Sequence, residues 1–288
     1  MLLSKPVTDI IRKRFSVRSY INDPIEETKK KKLREFFLEN ISGPLGSQAR
    51  FILVSASLED REELKGLISY GMIRNVPGFI IGATGYGEKN LEDFGYMMEK
   101  NILMATDMEL GTCWLGAAFN SSGFARKINR REDEIVPAVC AIGNHREKRT
   151  AWEKIVRTTL GSDRSKPWDD LFFTEGGALT REEAGSYSLC LDMVRIAPSA
   201  TNRQPWRILK MKETNIFHFY LQRTLGYKTI SKATDKEDAQ RMDIGVAMCH
   251  FELTALEAGL SGKWQVEYPG IGLPSGNAEY VVTWIGGK

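Results

Sequence analysis

The segment Arg14-Phe15-Ser16-Val17-Arg18 sets two guanidinium groups and one hydroxyl at alternate positions. In an extended chain residues i, i+2 and i+4 point to one side. Three convergent donors of that kind suit a phosphate, because the arginine fork pairs bidentately with its oxygens. A surface cluster at a helix end would read the same way. The segment Ala197-Pro198-Ser199-Ala200-Thr201-Asn202-Arg203-Gln204-Pro205-Trp206 is more specific. It is dense in short hydroxyl and amide side chains, and its two prolines reduce the entropy lost when the loop orders. Asn202 and Gln204 each carry donors and an acceptor. That mixed set is what a heteroaromatic ring with alternating C=O and N–H edges requires. A well-bonded structural turn is the competing explanation.

Other chemistries leave no comparable trace. Gly85-Tyr86-Gly87 follows a strand pattern, but Asn90 stands where a dinucleotide fingerprint needs its third glycine. Neither a phosphate-binding Walker loop nor a GxSxG elbow is present. His145, His218 and His250 are isolated in the sequence, so no metal site is expected. His250 falls on an apolar helix and is expected to be a satisfied core histidine. No residue stands out as an acid or base, and none is assigned a catalytic role.

These segments need elements to hold them, and the chain alternates helical and strand signals throughout. Asp23-Pro24-Ile25-Glu26 has the pattern of a capped helix start. Residues 51–54, 79–81 and 136–142 are apolar runs expected as buried strands. A long helix is expected over 91–110, capped by Asn90 and stopped at Gly111; being apolar on several faces, it should be central. The second half repeats the order. Thr180 and Glu183 form a capping box for a helix ending at Ala197, and strands are expected at 207–211, 216–221 and 280–285. A second box at Thr234 and Glu237 should open another long helix. The repetition extends to identities. At an offset of 150, Gly95, Met98, Leu103, Ala105, Leu110 and Trp114 meet Gly245, Met248, Leu253, Ala255, Leu260 and Trp264. At an offset of 156, Gln48, Ile52 and Leu53 meet Gln204, Ile208 and Leu209. The reading is a duplication: halves at 1–155 and 178–288, joined by a linker over 156–177.

Composition agrees with a globular chain: 288 residues, 42% hydrophobic and 27% charged. The net charge of +3 argues against nucleic acid or anionic lipid as partner. Lys29-Lys30-Lys31-Lys32 is expected to be a solvated helix face. Four cysteines lack metal or CxxC spacing, which suits buried thiols in a reducing compartment. Neither a signal-peptide pattern nor a membrane-length apolar run appears. A soluble, cytoplasmic protein is expected.

Taken together and in order, the Arg14–Arg18 start, the Pro198 to Trp206 loop, Gly111-Thr112-Cys113-Trp114-Leu115-Gly116 and Val136-Pro137-Ala138-Val139-Cys140-Ala141-Ile142-Gly143 resemble the nitroreductase family of flavoproteins. The similarity covers nearly the whole chain. Phe15 departs from a second arginine often found there, and Ala200 from a serine. The resemblance implies an α+β sandwich, in that family an intertwined homodimer with FMN at the interface. It implies FMN phosphate on Arg14, Phe15, Ser16 and Arg18, and the ring against Pro198, Ser199, Ala200, Asn202 and Gln204. Main-chain groups of Leu115, Gly116 and Ala117 would lie along the ring. Lys148 and Arg149 would reach the phosphate or simply sit on the surface. Here the two halves would mimic the dimer within one chain. The first keeps the arginine segment but has only Ser42-Gly43-Pro44-Leu45-Gly46-Ser47-Gln48 in place of the loop; the second keeps the loop alone. One site per chain and a sufficient monomer follow from that. The implied function is hydride transfer from NADH or NADPH through FMN to a nitroaromatic, quinone or similar small acceptor. A flavin-storage protein, or a flavin-fragmenting or reductively dehalogenating relative, would carry the same motifs.

Overall fold

A computed structural model describes residues 3–55, 67, 73–116, 120–146, 165–224, 237–273 and 278–287. The first half runs α1 (Val7–Lys13), α2 (Glu27–Glu39), β1 (Ala49–Ser55), β2 (Gly78–Gly85), α3 (Asn90–Asp107), β3 (Gly111–Leu115), α4 (Ser121–Lys127), β4 (Glu134–Ile135) and β5 (Val139–Gly143). The second runs β6 (Phe172–Thr174), β7 (Gly177–Ala178), α5 (Arg181–Ala184), α6 (Ser188–Arg195), β8 (Trp206–Lys210), β9 (Ile216–Leu221), α7 (Ala239–Glu257), β10 (Gly262–Gln265) and β11 (Glu279–Gly286). The first sheet has the order β1-β2-β5-β3, with β4 beside β2; the second has six strands in the order β10-β11-β9-β8-β6-β7. Every pair of the first sheet and of the β8-β9-β11-β10 path is antiparallel. In order and direction, β8-β9-β11-β10 repeats β1-β2-β5-β3. The fold is an α+β sandwich of two duplicated halves in one chain.

The halves meet through α3 and α7, which pack along each other. Both are buried on nearly every face, as an apolar pattern all round a helix dictates. Gly95 and Gly245 sit at the crossing. A Cβ on Gly95 would overlap the Met242 carbonyl, and one on Gly245 the Glu92 carbonyl. Only glycine lets the two backbones come this close. One hydrophobic core therefore spans both halves, from Phe51 and Ile80 through Met98 and Met248 to Phe219 and Trp284.

Several boundaries differ from those expected. The capped start at Asp23 does not form: α2 begins at Glu27, and Glu26 makes no side-chain cap. Bonds from the Asn144 amide to the Pro24 carbonyl (3.0 Å) and from Ile21 N–H to the Asn144 carbonyl (3.0 Å) hold that stretch extended beside β5. Asn90 is the first residue of α3 rather than its cap, and its amide donates back to the Gly85 carbonyl at 2.9 Å. Gly111 opens β3 rather than stopping the helix, which ends at Asp107. The third apolar run, expected over 136–142, forms a strand only from Val139. The Thr180–Glu183 box is present. Gly185, at φ 57°, then splits the expected helix into α5 and α6. Asp238 caps α7, accepting from Gln240 and Arg241 N–H; residues 234–236 of the second expected box lie outside the described residues. Within the expected linker, β6 pairs in parallel with β8 through Phe172↔Ile208. That stretch is built into the second sheet.

Adding a methyl group at either crossing glycine forces the helices apart. Gly95→Ala and Gly245→Ala should each destabilise the protein by about 1–3 kcal/mol, read as a lower melting temperature. An unchanged melt in either variant would contradict the close backbone contact.

Candidate functional site

Where α1 ends, the chain becomes extended and runs as an edge strand beside β3. Ser16 bridges Thr112 in parallel. Val17 N–H donates to the Thr112 carbonyl at 2.8 Å, and Arg74 N–H to the Arg18 carbonyl at 2.9 Å. Main-chain bonds thus position Ser16 and Arg18. Arg14 lies against α3. Its side chain is only 8% exposed, and its Nε lies 3.8 Å from Glu99 Oε1. Glu99, on α3, is fully buried and also accepts from Trp114 Nε1 (2.8 Å). It meets His250 Nε2 of α7 at 3.0 Å. The other imidazole nitrogen faces the Met193 carbonyl at 3.0 Å, which can only accept, so Nδ1 carries a hydrogen. One further proton must then lie between Nε2 and the Glu99 carboxylate. His250 is a satisfied core histidine, as its setting in the sequence suggests. The Phe15 ring stands edge-on to His145, with centroids 5.4 Å apart.

The second segment starts after α6. Half-buried Pro198 leads into a short 3-10 turn, Ala200–Asn202. Thr201 (φ 48°), Asn202 (φ 54°) and Gln204 (φ 45°) all adopt left-handed backbone, which costs roughly 1–3 kcal/mol each unless the surroundings enforce it. The surroundings do. Gln204 N–H donates to Ser199 Oγ at 2.8 Å, and Asn202 N–H to the Ser199 carbonyl at 3.0 Å. Gln204, 1% exposed, receives the Lys166 N–H on Oε1 (2.9 Å) and donates from Nε2 to Asn202 Oδ1 (3.1 Å). Both ends of its amide are engaged, one by Lys166 from outside the loop and one by Asn202, which it orients. Ala200 N–H donates to Asp243 Oδ1 on α7 at 2.9 Å.

The third stretch, Leu115 and Gly116, closes β3. A methyl group on Gly116 would stand 3.8 Å from Ala239 Cβ. Ala239 and Asp243 lie one turn apart on the same face of α7. The first turn of α7 therefore receives the loop of the second half and the strand end of the first. Ala117, Lys148 and Arg149 lie outside the described residues.

Two groups at this junction, Asp243 and Lys166, escaped the sequence reading, and so did Asp93, the counterpart of Asp243 in the first half. Burial pushes the Asp243 carboxyl well above the usual carboxylate range; its buried Oδ2 has no hydrogen-bond partner among the described residues. Asp93 precedes Gly95 as Asp243 precedes Gly245, so the 150-residue offset carried the signal. Lys166 N–H braces Gln204, while desolvation and the nearby Arg207 and Arg203 hold the Lys166 ammonium down at about 8. Among the described residues no helix is long and apolar enough to cross a membrane.

A family model described as "Putative TM nitroreductase" matches residues 6–255. The crystal structure of "a putative nitroreductase" from Thermotoga maritima covers 99% of this chain and 95% of its own, at 18% identity and a TM-score of 0.62. A nitroreductase family protein from Clostridium novyi covers 50% of this chain and 87% of its own, at 23% identity and a TM-score of 0.41. An "FMN-dependent Nitroreductase" from Clostridium difficile covers 49% and 89%, at 21% identity and 0.40. No curated protein matches.

The lowered Lys166 gives a test of the loop's surroundings. Unfolded lysine binds its proton up to about 10.5, so between about 8 and 10.5 the unfolded chain holds more protons and stability rises with pH. Lys166→Met keeps the N–H that Gln204 accepts. It should melt higher than the wild type at pH 7, and that advantage should shrink by pH 10. An advantage equal at both pH values would contradict the lowered ammonium.

Proposed function

The chain belongs to the nitroreductase family whose model it matches, and on that premise we propose that it is an FMN-dependent oxidoreductase. The donor would be NADH or NADPH and the acceptor a small molecule such as a nitroaromatic or quinone. One observation carries this reading: the Ala200 loop and the Gly116 strand end, from different halves, converge on one face of α7. The donors fit the cofactor in kind. Ser16 and Arg18 suit an anionic phosphate, and Asn202, held by Gln204, suits the polar edge of the ring. When bound, FMN would supply a ring that accepts hydride and passes it on.

The protein's own part is to hold and orient. Arg18 would neutralise phosphate charge from a backbone fixed against β3 and Arg74. Arg14 would act differently: drawn to Glu99, it balances a buried carboxylate under the segment. Asn202 would offer its side chain from a strained, pre-ordered turn, so little entropy is lost on binding. Leu115 and Gly116 would present main-chain groups beside the ring. Small Gly116 leaves that approach open.

Phosphate recognition separates this reading from a mere surface cluster. Arg18→Ala should lose a charge-assisted contact of about 1.5–3 kcal/mol, weakening FMN by about 10- to 150-fold. Riboflavin, which lacks the phosphate, should bind wild type and variant alike. Equal weakening of both ligands in a fluorescence titration would overturn the phosphate assignment.

A further inference from the structure

Asp93 and Asp243 occupy equivalent places on α3 and α7, each two residues before the glycine at the helix crossing. Each carboxyl takes backbone N–H groups from the loop that precedes the first long strand of its own half. In the second half, Asp243 takes the N–H of Ala200 at 2.9 Å. In the first half, the position matching Ala200 at the 156-residue offset is Pro44, which has no N–H to give. Asp93 instead binds Leu45 N–H (2.8 Å) and Ser47 N–H (2.7 Å), further along the loop. Gly43 matches Ser199 at the same offset. A Cβ on Gly43 would collide with the Asp93 carboxyl, whereas Ser199 keeps its side chain and accepts Gln204 N–H. The first-half loop is thus drawn down onto α3, into space that a side chain fills in the other half.

We propose that Asp243 is a positioning residue for the cofactor loop: through Ala200 N–H it sets the strained turn that presents Asn202. Asp93 is its counterpart in a loop closed onto the helix, where no cofactor is presented. The inference rests on the flavin reading for what the loop presents, and on geometry alone for how the loop is held. Asp243 is buried and its Oδ2 has no hydrogen-bond partner among the described residues, so the bond its carboxyl makes there is the one to the loop. A purely structural role would make the two aspartates alike.

The test uses the full chain with Asp243→Ala, Asp243→Asn, Ala200→Pro and Asp93→Ala. Ala200→Pro places the first half's residue in the second-half loop and removes the donor while leaving Asp243 intact. Ser199, at φ −147° and ψ 160°, already has the extended backbone that a following proline requires. Two readouts are taken: FMN affinity by fluorescence, and amide hydrogen exchange of the peptides around 199–204 and 43–48. Asp243→Ala and Ala200→Pro should each weaken FMN about tenfold and speed exchange around 199–204. Asp243→Asn, which retains an acceptor oxygen, should stay within about threefold of wild type. Asp93→Ala should speed exchange around 43–48 and leave FMN affinity unchanged. Equal loss of FMN affinity in Asp93→Ala and Asp243→Ala would overturn the proposal, as would unchanged exchange around 199–204 in both second-half variants. If Asp243→Ala does not fold, Ala200→Pro carries the same comparison. Wild type that binds no FMN would overturn the flavin reading instead, with the exchange arm still deciding how the loop is held.

Discussion

Where α3 and α7 cross, backbone touches backbone, and every other feature of the molecule is arranged around that contact. A helix pair this close admits no side chain at Gly95 or Gly245, so the two halves have one available mutual position. The sheets then cover the outer sides of the pair, and one large hydrophobic cluster spans both halves. The first turn of α7 is brought to the end of β3 by the same packing, and the loop before β8 docks on that turn. The candidate site is a consequence of the crossing.

Buried polar groups along the pair fix its register. Tyr96 of α3 donates to Glu252 of α7 (2.7 Å), Arg241 of α7 donates to Glu92 of α3 (2.9 Å), and His250 meets Glu99 (3.0 Å). Charges out of water are costly unless paired, so sliding one helix along the other would strand several at once. Trp114 and Trp264, equivalent in the two halves, each donate to a glutamate of the central helix in their own half: Glu99 and Glu252. Those glutamates are not equivalent in sequence. The two halves share a frame and differ in what it holds: of the two glutamates, Glu99 is the one beside Arg14.

Much of the fold was legible in the sequence. The all-round apolar pattern of residues 91–110 marked a central helix, and the repeated Gly and Trp marked the duplication. The Thr180 box gave a true helix start because its bonds are local. Asp23-Pro24 looked equally good and failed, because Asn144 lies some 120 residues away and pulls that stretch straight. Gly185 could not be read as a break, since a glycine inside an apolar pattern reveals its left-handed backbone only in the structure. In the site, the loop's short hydroxyl and amide side chains form the internal bonds that the competing explanation, a well-bonded turn, requires. The residue types did not show that Lys166 engages the Gln204 amide, or that Arg14 lies beside a carboxylate on α3. Both outcomes depend on partners from distant segments, Lys166 and Glu99, which no local pattern contains.

On the flavin function proposed above, one chain builds one composite site from its two unlike halves. Native mass spectrometry of the purified protein, titrated with FMN, is the decisive measurement. A monomer that saturates with a single FMN is expected. FMN bound only to a dimer, or two FMN molecules on each monomer, would contradict it.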